Sequence, residues 1–215
     1  MKKVAILLFF SVLVFTASCS NSSNTPANKP AGANTEVKKG VTPIADPDIA
    51  VIELENAGAY GSIKMELYSN VAPKMVARFK ELANEGYYDG IIFHRINASV
   101  IQAGNSDTKP GKTPSPGKEG DSGKPNVPAE FSDIPYDTGI LGAARTSDVN
   151  SANAQFFITL KREQGFDNKY TIFGKVLADS MNNVRTIAGV PKDGEKPTDP
   201  VRIKHISIVP RDQAK

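Results

Sequence analysis

The chain has 215 residues, of which 40% are hydrophobic and 23% charged, proportions that are typical of globular proteins. This composition excludes wholesale disorder, a collagen-like repeat and a multi-span membrane protein. The formal net charge is +3, which argues against nucleic acid as the main partner because a phosphate-binding face needs a clear basic excess.

Residues 1–19 have the pattern of an export signal. Met1 is followed by two lysines, and residues 4–17 are almost all apolar. That run is shorter than the roughly 20 residues of a membrane span and suits a secretory signal peptide. Small residues then precede Cys19, the single cysteine of the chain, as in a bacterial lipobox. We predict a signal peptide over residues 1–18 and a lipid on Cys19. The alternative is ordinary cleavage that leaves Cys19 as a free thiol.

Residues 20–47 are rich in Asn, Ser, Thr, Pro, Ala and Lys and contain no aromatic residue. Such a segment cannot bury enough apolar surface to offset its chain entropy. We therefore predict a lipidated cysteine and flexible tether over residues 19–47, followed by one domain over residues 48–211. Anchor and tether together predict an extracytoplasmic protein that is held at the periplasmic or cell-surface face of a membrane.

The domain opens with a predicted β-hairpin and a helix. Apolar and polar residues alternate from Ala50 to Leu54 and from Ile63 to Leu67, which is typical of two paired strands. A helix is then predicted with Pro73 in its first turn and Gly86 past its end. Its buried face would consist of Val71, Met75, Phe79 and Leu82.

The remaining elements are short. Apolar runs predict buried strands at residues 91–93, 155–160, 171–177 and 201–209. A second helix is predicted from the spacing of Met181, Val184 and Ile187, with Asp179 or Ser180 as its cap. Several strands with two distant helices favour a mainly β domain, either a closed antiparallel barrel or a sandwich with helical covers.

Residues 104–128 form a long segment rich in glycine and proline that does not fit a compact domain. Loops of this length are usually functional or disordered. We interpret this one as a mobile, weakly basic flap, with a solvated insertion of no particular role as the alternative.

Four segments, in order, resemble the signature of cyclophilin-type peptidyl-prolyl isomerases. They are Gly86 to Arg95 with its Phe-His-Arg ending, Ile101 to Gly104, Ala144 to Ile158, and Lys169 to Val176. The Ala-Arg-Thr-Ser-Asp run that begins at Ala144 resembles the bacterial branch. The resemblance implies a closed eight-stranded antiparallel β-barrel that is capped by two α-helices.

The implied reaction needs neither metal nor cofactor, and we expect none. Amide resonance sets the rotational barrier of an X–Pro bond at ~18–20 kcal/mol, although the two isomers differ by only about 0.5–1 kcal/mol. A catalyst needs an apolar slot for the proline ring and a cation near the prolyl nitrogen, where hydrogen bonding favours the non-resonant transition state. Arginine suits this role because it is always charged and carries a rigid fork of donors.

The resemblance also implies the site residues. Arg95 and Gln102 correspond to the catalytic pair. The proline pocket would be formed by Phe157, Phe166 and Tyr170. The neighbouring peptide groove would be formed by Ala144, Arg145 and Gln155.

One departure concerns the pocket wall. Arg95 and Gln102 are seven positions apart, whereas the family commonly has eight, and the usual Phe between them is missing. Val100 is the most plausible replacement, but the alignment also allows Ser99.

The chain has no Trp, so tight cyclosporin binding is not expected. His94 and His205 are interpreted as structural residues without a role in proton transfer.

Three functions remain open at this stage. The first is an exported prolyl isomerase that acts on Pro-containing polypeptides during folding. The second is a low-turnover chaperone or surface scaffold that binds such polypeptides. The third is a structural lipoprotein or adhesin that reuses the fold. A monomer is expected, since the sequence contains no heptads.

Overall fold

The computed structural model describes residues 36–113 and 120–214. The predicted signal peptide, Cys19, residues 20–35 of the predicted tether and residues 114–119 of the Gly/Pro-rich loop lie outside the described residues. Within the described residues, no helix is both long and apolar enough to cross a membrane.

The described part of the chain is mainly β. Its strands are β1 (Asp48–Leu54), β2 (Ile63–Leu67), β3 (Arg95–Ile96), β4 (Val100–Ala103), β5 (Ile140–Ala143), β6 (Phe156–Thr159), β7 (Ile172–Val176), β8 (Lys192–Asp193), β9 (Lys196–Pro197) and β10 (Ile203–Pro210). Its α-helices are α1 (Ala57–Tyr60), α2 (Pro73–Asn84) and α3 (Met181–Ala188).

Eight strands form one antiparallel sheet in the order β10-β1-β2-β7-β5-β6-β4-β3, and β8 pairs with β9 separately. The sheet is curled but not closed, so the predicted closed barrel is wrong. β3 is only two residues long, which leaves little strand to pair with β10 across the gap. Residues 91–93 do not form the predicted strand either. Ile92 makes an isolated antiparallel bridge to Arg202 between the two edges.

The predicted hairpin is confirmed, since β1 and β2 pair antiparallel with Ile49 opposite Glu66. The two predicted helices are also found. α2 begins at Pro73, and its buried side chains are Met75, Val76, Phe79, Leu82 and Ala83. α3 buries Met181, Val184 and Ile187 against the sheet. Ser180 precedes α3, but its hydroxyl accepts a hydrogen bond from the Lys64 amide instead of capping the helix.

Buried apolar side chains form two clusters. The larger one fills the space between the sheet and helices α2 and α3. The smaller one supports the candidate site and contains Tyr68, Val71, Val100, Tyr136, Ile140, Phe157 and Ile172.

The last part of the predicted tether lies on the domain. The Lys38 ammonium donates to the Val71 carbonyl at 2.7 Å. Asp46 accepts hydrogen bonds at 2.7 Å from both the Lys80 ammonium and the Ser69 hydroxyl. Val41 and Ala45 pack against the smaller cluster. Contacts with the domain therefore begin about ten residues before β1, within the segment that the sequence assigns to the tether.

The described flanks of the Gly/Pro-rich loop are bonded to the domain. The amide and hydroxyl of Ser122 both donate to the Asn153 side chain, and Val127 is buried and bridges to Ala152. Lys124 pairs with Glu81 and Glu85 of the α2 region. The flanks are thus anchored to the surface, which the interpretation as a mobile flap did not anticipate.

Candidate active site

Three neighbouring strands bring the central residues of the candidate site together. Arg95 on β3 is directly opposite Gln102 on β4, and Gln102 is opposite Phe157 on β6. Residues that are directly paired across an antiparallel sheet project from the same face, so these side chains lie side by side. Phe157 is in turn opposite Gly142 on β5, where a Cβ would lie 2.3 Å from the Phe157 ring. Only glycine leaves room there for the aromatic floor.

A cavity of about 170 Å³ lies above this row, and we call it the aromatic cavity. It collects the predicted catalytic and pocket residues and two of the groove residues. Its lining consists of Arg95, Val100, Gln102, Ala144, Arg145, Phe157, Phe166 and Tyr170. Residues that are up to 75 positions apart in the sequence thus form one concave surface, as the family resemblance implies.

A second cavity of about 140 Å³, the polar cavity, adjoins the first and shares part of its wall. It contains Gln155, the remaining predicted groove residue. Its lining consists of Gln102, Gly120, Ala144, Arg145, Thr146, Ser151, Asn153 and Gln155. Four of these were not identified from the sequence: Gly120, Thr146, Ser151 and Asn153.

Aromatic rings shape the first cavity. Phe157 packs edge-on against Phe166 and Tyr170 at centroid distances of 5.5 and 5.7 Å. Below it, the buried Tyr136 ring stacks on Phe157 at 5.9 Å. These contacts fix the floor in one orientation, because aromatic pairs prefer offset-stacked and edge-to-face geometries.

Val100, and not Ser99, belongs to the lining of the aromatic cavity. The shortened turn before it is closed by Asn97, whose side-chain oxygen accepts the amides of Ser99 and Val100, each at 2.9 Å. The carbonyl of Ser99 accepts the amide of Leu160. The turn therefore presents the small apolar Val100 side chain to the aromatic cavity.

Arg95 is half-exposed, and its guanidinium is held on two sides. Nη1 donates to Gln102 Oε1 at 3.4 Å, and Nη2 donates to Glu195 Oε1 at 3.3 Å. Nε also donates to Glu195. Gln102 Nε2 donates onward to Gln155 Oε1 at 2.8 Å, so a continuous row of hydrogen bonds connects both cavities.

Arg145 also lines both cavities. Its guanidinium lies 4.6 Å from the centre of the Tyr170 ring and donates to the carbonyls of Thr146 and Lys169. A cation above an aromatic face is attracted by the ring quadrupole. The pairing therefore holds both side chains in place at the rim of the cavity.

Neither histidine lines the two cavities. Burial lowers the pKa of His94, and the neighbouring Arg95 charge acts in the same direction. His205 Nδ1 lies 2.9 Å from Asp89 Oδ1 on the partly exposed surface of the domain. Within residues 36–113 and 120–214, no three His, Cys, Asp or Glu side chains are arranged to hold a metal ion.

Glu195 and Asn97 were missed from the sequence. The two-residue turn of the β8–β9 hairpin is Gly194-Glu195, and a glycine at the first central position is typical of such turns. Nothing in the sequence, however, connected Glu195 with an arginine 100 positions earlier.

Comparisons with known proteins agree with this geometry. Residues 51–208 match the family described as "Cyclophilin type peptidyl-prolyl cis-trans isomerase/CLD". A "Probable peptidyl-prolyl cis-trans isomerase" of Brucella suis is 36% identical over 150 residues, which cover 66% of this chain and 74% of that protein. "Peptidyl-prolyl isomerase CWC27" of Cryptococcus neoformans is also 36% identical, over 151 residues that cover 69% of this chain, but the match spans only 30% of that relative's length.

Among solved structures, a Cryptosporidium parvum cyclophilin type peptidyl-prolyl cis-trans isomerase, determined in the presence of the dipeptide Ala-Pro, is similar in fold. The TM-score is 0.64 at 30% sequence identity, and the match covers 75% of this chain and 98% of that one. The sequence match and the shared fold lead to the same assignment: this chain belongs to the cyclophilin type peptidyl-prolyl cis-trans isomerase family.

Proposed function

We propose that this protein catalyses cis-trans isomerisation of X–Pro bonds in polypeptides. The observation that carries the proposal is the placement of Arg95 and Gln102 beside the Phe157 floor of one cavity. The Cryptosporidium relative was solved in the presence of Ala-Pro, and we extend that class of ligand to the aromatic cavity here.

The cavity supplies the two elements that the reaction requires. Phe157, Phe166 and Tyr170 offer an apolar surface for the proline ring. Binding there would hold one side of the amide bond while the other side rotates. The Arg95 guanidinium would donate to the prolyl nitrogen as that atom becomes pyramidal, and this interaction is stronger in the transition state than in the planar ground state.

Gln102 would have two functions in this scheme. Its side-chain oxygen accepts from Arg95 and its amide donates to Gln155, so it orients the guanidinium relative to the groove. It also lines both cavities, where its amide group can contact the backbone of a peptide that extends from the proline site.

The test is a cis-to-trans assay of an Ala-Pro peptide with the purified full-length chain in mild detergent. Arg95→Ala should lower kcat/KM by about 10²-fold, the usual cost of removing a transition-state donor. Arg185→Ala is the matched control, since Arg185 is an exposed arginine of α3 whose side chain donates to Asn182 on the same helix. A folded wild-type chain that binds the peptide without accelerating its isomerisation would contradict the proposal and favour the low-turnover binding protein.

We also propose that the protein is exported and anchored to a membrane by a lipid on Cys19, so that its clients are polypeptides folding outside the cytoplasm. The support is the sequence pattern of residues 1–19. Cys19→Ala should abolish labelling by a radioactive fatty acid and move the protein to the soluble extracytoplasmic fraction. Ser18→Ala, which keeps the cysteine, is the control. A wild-type protein that takes up no fatty-acid label would contradict the proposed lipid anchor.

A further inference from the structure

Glu195 binds one edge of the Arg95 guanidinium with both of its carboxylate oxygens. Arg95 Nε donates to Oε2, and Nη2 donates to Oε1 at 3.3 Å. A carboxylate and a guanidinium in this fork geometry fix each other's orientation as well as their distance. The remaining terminal nitrogen, Nη1, is the one that donates to Gln102 at the cavity.

Glu195 is itself held by the segment that carries Arg95. The Ile96 amide donates to the Glu195 carbonyl at 2.7 Å. Asn97 Nδ2 donates to Glu195 Oε1 at 2.8 Å. Gly194, with a φ of +60°, turns the β8–β9 hairpin so that the next residue meets β3. Both the backbone and the carboxylate of Glu195 are thus tied to the strand of Arg95.

This ion pair is a poor candidate for a stabilising element. The side chains of Arg95 and Glu195 are 46% and 48% exposed, and exposed pairs contribute little to the free energy of unfolding because water screens them. Its geometric effect is larger, because a free arginine side chain samples many rotamers and the pair selects one of them. The half-exposed carboxylate therefore has more influence on where the guanidinium lies than on whether the protein folds.

We propose that Glu195 is a positioning residue that presents Arg95 to the prolyl nitrogen. This inference rests on the proposed isomerase function. The carboxylate occupies the Nε edge of the guanidinium, leaving Nη1 and one N–H of Nη2 for Gln102 and the substrate. Glu195 touches no reacting atom in this scheme and acts only through Arg95.

The charge state of Glu195 is compatible with this role. Hydrogen bonds from Arg95 and then Asn97 hold the pKa of its carboxyl below the usual value. Glu195 is therefore ionised at neutral pH, and the pair should persist throughout the pH range in which an isomerase is normally assayed.

The test compares Glu195→Ala and Glu195→Gln with the wild-type full-length chain in the Ala-Pro assay. We expect Glu195→Ala to lower kcat/KM about fivefold, with most of the loss in kcat, and Glu195→Gln to retain an intermediate activity because it keeps one acceptor oxygen. Glu53→Ala is the matched control, since Glu53 also forms an exposed ion pair, with Lys204, on another part of the sheet. It should not change the rate.

Two further readouts separate positioning from a purely structural role. In an Arg95→Ala background, measured at high protein concentration, Glu195→Ala should cause no further loss, because its effect passes through the guanidinium. The Arg95 Nε–H resonance should be sharp in the wild type and broadened in Glu195→Ala. An active wild type with unchanged kcat/KM in Glu195→Ala would overturn the inference. The inference would also be overturned if Glu195→Ala lowered kcat/KM by the same factor in the Arg95→Ala background as in the wild type. An inactive wild type would instead contradict the proposed function.

Discussion

Gln155 occupies the space into which any side chain at Gly120 would project. A Cβ at Gly120 would lie 2.3 Å from Gln155 Cγ and 2.6 Å from Nε2. Gly120 also has a φ of +75°, a conformation that L-residues rarely adopt. Because Gln102 donates to Gln155, this contact places the Gly/Pro-rich loop at one end of the hydrogen-bonded row that leads to Arg95.

The first prediction is that Gly120→Ala lowers activity through Gln155. The new methyl group should displace the Gln155 side chain, release Gln102 and lower kcat/KM severalfold, in addition to a backbone cost of about 1 kcal/mol in the free energy of unfolding. Gly123→Ala is a close control. Gly123 has a φ of +76°, and no atom of the described residues lies within 4 Å of its would-be Cβ, so Gly123→Ala should share the backbone cost without the loss of activity. Equal kcat/KM values for the two variants would contradict the prediction.

The second prediction concerns Val100 as the wall of the aromatic cavity. Val100→Ala should weaken binding of the proline ring, because two methyl groups at about 0.8 kcal/mol each are lost from the apolar lining. We expect KM for the Ala-Pro peptide to rise about tenfold, with a smaller change in kcat. Ser99→Ala is the control, since Ser99 is not part of the lining. A larger effect at Ser99 than at Val100 would mean that the shortened turn presents the other residue to the substrate.

The placement of the central candidate residues in one cavity was predictable because they lie in short segments that resemble the family's motifs and follow the family's order, although Arg95 and Gln102 are one position closer than usual. Arg95, Gln102 and Phe157 were identified from those motifs, and the strand register that pairs them agrees. Glu195 was not identified, because it belongs to a separate hairpin and contacts Arg95 across 100 positions. Motif spacing carries no information about such a contact.

The main strands and helices were predictable, whereas the closure of the sheet and the start of the contacts before β1 were not. The periodicity of Ala50–Leu54 and the helical face of α2 were clear, since each buries one regular side. Closure of the barrel depended on the edge strand β3. With two residues, β3 is too short to show the alternation of apolar and polar residues that predicts a strand. Residues 38–47 were assigned to the tether because their composition is polar. Composition could not indicate that polar groups such as Asp46 find partners on the domain.

The third prediction is that Glu130 stabilises the start of α2. Its buried carboxylate accepts the amides of Lys74 at 3.1 Å and Met75 at 3.0 Å, whereas the residue before the helix, Ala72, offers no capping side chain. Glu130→Ala would leave two amides without their acceptor and should lower the free energy of unfolding by about 1–3 kcal/mol. Glu130→Gln keeps one oxygen and should cost less. Urea denaturation measures both variants, with Glu53→Ala, at an exposed ion pair with Lys204, as the control.

A fourth prediction is that the contact of Asp46 makes the stability of the domain depend on pH. Burial by itself would raise the pKa of Asp46, but hydrogen bonds from Lys80 and Ser69 outweigh burial and lower it. A carboxyl whose pKa is lower in the folded than in the unfolded protein stabilises the fold above its unfolded-state pKa of about 3.9, and this contribution is lost as the pH falls through the folded-state pKa.

Asp46→Asn should therefore lower the free energy of unfolding at pH 7 by about 1–2 kcal/mol, since hydrogen bonds to a charged group are lost from a site that is largely buried. The difference from the wild type should narrow as the pH falls below about 4. Urea denaturation at a series of pH values measures it. Glu53→Gln, at an exposed ion pair, is the control and should leave stability near the wild-type value throughout. If the difference in the free energy of unfolding between Asp46→Asn and the wild type stayed constant down to pH 3, packing and not the charge of Asp46 would hold residues 38–47 on the domain.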